Sequence, residues 1–298
     1  MKYTTLRSLP GLIGLAMVYL VLSGCAIGTP NNAMAGPSGP SGHSGPSGPS
    51  GRKVANASQS LDRLSLAPRG LFDVHQPRRQ IHSLMVVGDS LSISLAEQME
   101  FNLSQATRLS FAKLGKVSSG LARPDFFDWD RHMEEMAARN RPDAVVVMIG
   151  ANDNQHLRQA DGSLIYFGTP EWDRAYAAKV RRVVDTCRRY NPKATIFWMG
   201  APVMASQALS QDLRHINALV AAVMERNRDC HYVDTWRLFS GQSGEFVRAK
   251  AEVAGGQPLR ARDGIHLTPA GAQALAETCL NALGRQVAWE QLPSSASL

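Results

Sequence analysis

Cysteine is scarce, with 4 among 298 residues, and no Cys-x-x-Cys pair occurs. That absence removes zinc-ribbon and thioredoxin-like readings. There is no Gly-x-Ser-x-Gly, the elbow that presents a serine in α/β-hydrolases. There is also no phosphate-cradling glycine loop and no dinucleotide fingerprint, so neither metal nor cofactor is expected. Lys and Arg outnumber Asp and Glu by 32 to 25, yet the arginines are scattered in pairs such as Arg78-Arg79, Arg181-Arg182 and Arg188-Arg189. Without a basic arm or an RNA-binding motif, no nucleic-acid partner is expected. A mildly basic surface is one reading of the net charge of +7; attraction to anionic lipid or acidic glycan is the other.

Residues 9–22 run almost entirely apolar behind the cations Lys2 and Arg7. The run is too short for a comfortable membrane span and suits the apolar region of a signal peptide. It ends in Leu22-Ser23-Gly24-Cys25, which resembles a bacterial lipobox. The expectation is a signal peptide over 1–24, with lipid on Cys25 and membrane attachment through that lipid. Ordinary secretion and a short anchor helix with a chance cysteine are the alternatives. Removing Lys2 and Arg7 lowers the net charge to +5. Residues 25–70 are rich in Gly, Pro and Ser and have little to bury, so they read as a solvated tether. Ala26 after the cysteine resembles outer-membrane sorting, giving a cell-envelope, periplasm-facing location. In an oxidising compartment, one disulfide and one free thiol among Cys187, Cys230 and Cys279 would fit, with the pair unspecified.

Beyond the tether the composition is that of a globular chain, 44% hydrophobic and 19% charged. Short apolar runs at 81–88 (IHSLMVVG), 109–114, 144–149 (AVVVMI), 194–199 (ATIFWM) and 232–234 read as strands. Helical periodicity covers 91–103, 129–140, 171–190, 211–227 and 269–285. Strands this continuously apolar, alternating with helices, predict a five-stranded parallel sheet covered on both faces. The expected fold is a three-layer α/β/α sandwich over residues 71–290, followed by a polar tail at 291–298.

In such sheets chemistry gathers at the carboxyl ends of the strands. After the first strand stands Gly88-Asp89-Ser90, with Ser90 at a helix N-terminus among free backbone N–H groups. Asp and Ser are also common helix caps. After the third strand comes Gly150-Ala151-Asn152-Asp153, readable as a ligand-facing amide or as a turn with an Asx cap. Near the C-terminus stands Asp263-Gly264-Ile265-His266, a spacing that lets a carboxylate hold an imidazole while its other nitrogen faces a hydroxyl. Asp212-Leu213-Arg214-His215 has the same spacing but lies in a helical stretch, and reads as a surface i,i+3 pair.

The order of these motifs resembles the SGNH (GDSL) hydrolase superfamily, whose fold is flavodoxin-like. The resemblance implies Ser90 as nucleophile, with Asp263 and His266 as its acid–base pair. It implies an oxyanion hole from Ser90, Gly120 (in Ser118-Ser119-Gly120-Leu121) and Asn152. A narrower likeness is to the bacterial envelope subgroup DUF459. It rests on residues 119–129 (SGLARPDFFDW), 150–155 (GANDNQ), 167–172 (FGTPEW) and 263–267 (DGIHL).

The activity implied by the resemblance is that of a serine esterase cleaving or transferring short O-acyl groups, acetyl above all, on cell-envelope glycans through an acyl-Ser90 intermediate. Polar loops at 153–170 and 240–262 are expected to overhang the strand ends. The aromatics Trp129, Tyr166, Phe167, Trp172 and Trp236 suit a sugar or serve as packing. The favoured partner is an O-acylated envelope glycan or another small ester. A lipid esterase or thioesterase, and a non-catalytic envelope binding protein, are the alternatives.

Overall fold

A computed structural model describes residues 78–104, 108–159 and 161–290. The expected signal peptide, Cys25, the tether, the domain's first residues 71–77 and the tail at 291–298 lie outside the described residues.

Five strands form one parallel sheet: β1 (Ser83–Gly88), β2 (Ser110–Gly115), β3 (Ala144–Met148), β4 (Thr195–Met199) and β5 (Cys230–Val233). Their order is β2-β1-β3-β4-β5. β3 and β4 are buried at every residue, as strands covered on both faces must be. Edge strand β2 is only partly buried, which accounts for its weaker apolar pattern.

Among the described residues, six α-helices surround the sheet: α1 (Ser90–Ser104), α2 (Trp129–Asn140), α3 (Pro170–Tyr190), α4 (Gln207–Glu225), the single turn α5 (Trp236–Phe239) and α6 (Pro269–Gln286). Helix α1 packs on α6, while α2 packs on α3 and α3 on α4, giving the two outer layers. Side-chain caps fix the starts. Thr169 accepts the Trp172 N–H before Pro170, and Thr268 accepts the Gly271 N–H before Pro269. Helix α4 begins four residues before the expected 211, because Ser206 caps the Leu209 N–H. The loop after β3 folds into a small antiparallel hairpin, Leu157–Arg158 against Leu164–Ile165. Parallel pairing of Arg79–Gln80 with Val287–Ala288 joins the two ends of the described domain.

The expected disulfide is not formed. Cys187, Cys230 and Cys279 are all free and buried, on α3, β5 and α6; Cys187 and Cys279 pack as small apolar side chains, and Cys230 Sγ accepts from Arg188 Nη2 at 3.3 Å. Burial pushes the Cys187 thiol up to about 12.

Candidate active site

The strand order reverses between β1 and β3, so their carboxyl ends open the crevice where parallel α/β sheets bind ligands. Ser90 sits there as the first residue of α1, at the positive end of the helix dipole. Asp89 fixes the turn beneath it. Its backbone N–H donates to Met148 O (3.0 Å), and its carboxylate accepts from Leu91 N–H (3.0 Å) and Ala151 N–H (3.2 Å). The turns after β1 and β3 are therefore locked together. Burial pushes the Asp89 carboxyl up to about 7, with neighbouring Asp153 adding to the rise and the backbone N–H groups of Leu91, Ala151 and Gly150 opposing it.

From the other end of the chain, the loop before α6 delivers Asp263 and His266. His266 Nε2 lies 3.1 Å from Ser90 Oγ, and His266 Nδ1 lies 2.7 Å from Asp263 Oδ2. With a carboxylate accepting at Nδ1, that nitrogen carries the proton and the Nε2 lone pair faces the hydroxyl. Asp263 Oδ1 also accepts the N–H groups of Ile265 (2.8 Å) and His266 (2.9 Å). Burial raises its carboxyl, but hydrogen bonds from the His266 ring and these two amides outweigh that, leaving it at about 2. The turn requires Gly264. Its φ is 69°, and a Cβ there would stand 2.3 Å from Ala205 Cβ. Asp263 and His266 side chains are both 46% exposed, so the pair is open to a large substrate.

The second Asp-x-x-His is not the i,i+3 pair expected from its spacing. His215 Nε2 reaches across to Asp173 Oδ1 on α3 at 2.7 Å, while Asp212 accepts from Asn154 Nδ2 at 2.9 Å. Asp173 on α3 and Asn154 in the loop after β3 offer each a better-placed partner than the other.

Asn152, after β3, meets the loop that carries Gly120. Asn152 Nδ2 donates to Ser119 O at 2.9 Å, which leaves its second amide hydrogen to serve a ligand. No protein acceptor among the described residues takes the backbone N–H of Ser90 or of Gly120. Asp153, fully buried, accepts the Ala122 N–H (2.8 Å) and the Tyr176 hydroxyl (2.7 Å). A Cβ at Gly120 would stand 2.1 Å from Asp153 Oδ1, so only glycine permits this approach. Ser119 Oγ donates to Lys116 O (2.7 Å) and accepts from Trp129 Nε1 (3.1 Å). Each neighbour of the Gly120 amide is thereby pinned.

Three of the aromatics offered for sugar contact are instead structural: Trp129, Trp172 and Trp236 are buried. Trp129 braces the Gly120 loop, and Trp172 stacks on Tyr176 at 4.7 Å and donates to Gln155 O (2.8 Å). Phe167 packs its half-buried ring edge-on to Trp172. Tyr166 alone of the five stands exposed.

Arg260 is the residue that the sequence does not single out. It is completely buried, whereas Arg262, two positions on, is exposed, and no spacing separates them in advance. Arg260 Nη1 donates to Val203 O (2.7 Å), and Nη2 reaches Ile265 O (2.6 Å), Gly264 O (3.3 Å) and Met204 Sδ (2.9 Å). Its Nε has no partner, and Phe239 and Phe246 flank the guanidinium at 5.2 and 5.5 Å. Burial pulls its pKa down to about 10, with the charge of Asp263 opposing the fall. The guanidinium thus fastens the backbone between Asp263 and His266 to the strand end after β4.

The family described as "Protein of unknown function (DUF459)" matches residues 83–282. No curated protein matches the sequence. Among solved structures, an active-site mutant of a family two carbohydrate esterase from Clostridium thermocellum is similar at TM-score 0.47 and 16% identity, over 70% of this chain and 65% of that one. A carbohydrate esterase family 3 protein from Talaromyces cellulolyticus gives 0.46 and 12%, over 68% and 96%. The lipase/acylhydrolase from Enterococcus faecalis gives 0.45 and 14%, over 72% and 100%. Likeness this remote carries no conclusion about the present chain.

Proposed function

The chain belongs to the DUF459 family, and from the hydrogen-bonded series Asp263–His266–Ser90 at the head of α1 we propose that it is a serine ester hydrolase of SGNH type. One observation carries this reading: one ring nitrogen of His266 lies 3.1 Å from the Ser90 hydroxyl while the other lies 2.7 Å from the Asp263 carboxylate. In the first step Ser90 Oγ attacks the ester carbonyl and its proton passes to His266 Nε2. Asp263 stabilises the imidazolium. The tetrahedral oxyanion takes the free N–H groups of Ser90 and Gly120 and the remaining amide hydrogen of Asn152. Its collapse expels the alcohol, which takes the proton from His266, and leaves acyl-Ser90. Water, activated by the same imidazole, then attacks the acyl-enzyme and releases the acid; a sugar hydroxyl in its place would transfer the acyl group.

Short O-acyl groups, acetyl above all, on a cell-envelope glycan are the substrate this site suits best. The support is the openness of the Asp263–His266 pair, which lets a polymer approach. Its location would follow from lipid on Cys25, with the domain held in the periplasm by its tether. An apolar observation favours a second reading: Ile265, between the two acid–base residues, is partly exposed and would meet a longer acyl chain in a lipid esterase.

Hydrolysis of p-nitrophenyl esters from acetate to decanoate separates these readings. The glycan-esterase reading expects rates to fall beyond butyrate, because an apolar tunnel would add about 0.8 kcal/mol per buried methylene and neither loop supplies one. Rates that climb with chain length would transfer the assignment to a lipid esterase. No cleavage of any ester, on a folded chain, would leave a binding protein.

A further inference from the structure

A large cleft lies away from the acid–base pair. It holds about 870 Å³ between α4 and the segment from Tyr232 to Lys250, and Ser90, Asp263 and His266 do not line it. A second cleft of about 580 Å³ shares Arg214, Trp236, Ser243 and Gly244 with it, so the two form one groove. The second cleft is also lined by Val203, Met204 and Ala205. That stretch is bonded to the turn carrying Asp263 and His266: Ala205 N–H donates to Gly264 O at 3.1 Å, and Arg260 donates to Val203 O. The groove therefore borders the segment that anchors the turn carrying Asp263 and His266.

Arg214 stands where the two clefts join. Its guanidinium lies 4.0 Å from the centre of the Trp236 ring. Arg214 Nη2 and Trp236 Nε1 both donate to Gly244 O, at 3.2 and 3.0 Å. The planar group is thus already ordered by stacking and by one hydrogen bond, and among the described residues it has no carboxylate partner. A pre-ordered guanidinium with donors to spare is matched by a carboxylate, which it can take with two parallel hydrogen bonds. Because the side chain is held beforehand, little further entropy is lost on binding. The groove adds Arg237 and Lys250, the latter paired with Glu252 at 3.5 Å, against two acids of its own lining, Glu245 and Asp234, and the Asp234 carboxylate is already accepting the Trp236 backbone N–H. Ser240, Gln242 and Ser243 supply hydroxyl and amide groups along the same wall, which suits a polyhydroxy chain.

We propose that this groove binds a carboxylate-bearing segment of a glycan, with Arg214 on the carboxylate, and so presents the neighbouring acylated sugar to Ser90. The second half of that statement rests on the esterase reading; the binding itself does not.

The test is calorimetry on the full chain with three probes: trigalacturonate, its fully methyl-esterified form, and polyglycerol phosphate. Trigalacturonate should bind, and more weakly as salt is added. The methyl ester should bind at least tenfold more weakly. Arg214→Gln should weaken trigalacturonate at least tenfold, and Arg214→Lys should not restore it, since the fork is lost. Ala218→Trp, on the face of α4 that lines the cleft, should block binding by filling it, with circular dichroism checking that each variant is folded. No binding of trigalacturonate, equal binding of acid and methyl ester, unchanged affinity in folded Arg214→Gln, or a preference for polyglycerol phosphate would each overturn the proposal. Because calorimetry reads binding alone, a failure of ester cleavage leaves this result standing, and a failure here leaves the Ser90 reading standing.

Discussion

Replacing Arg260 by methionine separates what this residue does for stability from what it does for the candidate site. Methionine has similar length and no charge. The substitution relieves the burial of a cation and of the unpartnered Nε, but it strands two carbonyls, of Val203 and Ile265, while Gly264 O keeps the Ala205 N–H. A buried polar group left without its partner costs about 1–3 kcal/mol, while swapping a buried charge for an apolar side chain can be neutral or favourable. The two effects oppose each other, so the net loss of folding stability should be modest, about 1–3 kcal/mol. The catalytic loss should be larger. Gly264 and Ile265 are the two residues between Asp263 and His266, and freeing the Ile265 carbonyl while leaving Gly264 O only its Ala205 N–H lets the turn shift against Ser90. A displacement of about 1 Å is enough to cost roughly 10²-fold. Arg260→Met should therefore lower kcat on p-nitrophenyl acetate about 10²-fold with little change in KM, at a temperature where circular dichroism shows a folded chain. Arg260→Lys, which keeps the charge but not the fork, should fall between. A folded Arg260→Met with kcat within about twofold of the unmodified protein would refute the positioning role.

Other outcomes rest on the same geometry. Asn152→Ala removes one oxyanion donor and should lower kcat about 10²–10³-fold with binding little changed; His215→Ala, outside the site, should leave kcat as it was. Asp89 is raised by burial from 3.8 to about 7, so the folded state holds its proton more tightly than the unfolded state does. Its contribution must make the protein less stable as pH rises from about 4 to 7. Denaturant midpoints of the unmodified protein and Asp89→Asn should diverge over that range, and a constant difference would contradict the assignment. Lipid on Cys25 predicts metabolic palmitate labelling that disappears in Cys25→Ala; labelling that survives the substitution would place the lipid elsewhere.

What could be read from the chain was whatever depends on local pattern. Continuous apolar runs such as AVVVM and TIFWM become fully buried β3 and β4, and Pro170 and Pro269 mark helix starts where Thr169 and Thr268 supply the caps. The β/α alternation alone puts Ser90, Gly120 and Asn152 at successive strand ends. Gly264 separates the two Asp-x-x-His copies, because only a residue without Cβ fits against Ala205 at φ 69°. What could not be read depends on tertiary partners. Asp212 and His215 share a spacing but each finds a different neighbour once α3 and the loop after β3 pack on α4. Arg260 and Arg262 are indistinguishable until the loop folds over Phe239 and Phe246. Trp129 becomes a brace for Ser119 only through a contact ten residues away. The Arg214–Trp236 plate joins α4 to a turn after β5, a pairing no local period announces.

Trapping the nucleophile tests the central claim most directly. The folded protein treated with a fluorophosphonate should gain one phosphonyl group, and peptide mapping by mass spectrometry should locate it on Ser90. The adduct should be absent from Ser90→Ala and should form far more slowly in His266→Ala, where no base removes the hydroxyl proton. Stoichiometric labelling at another residue, or labelling of Ser90 at the same rate without His266, would contradict the account.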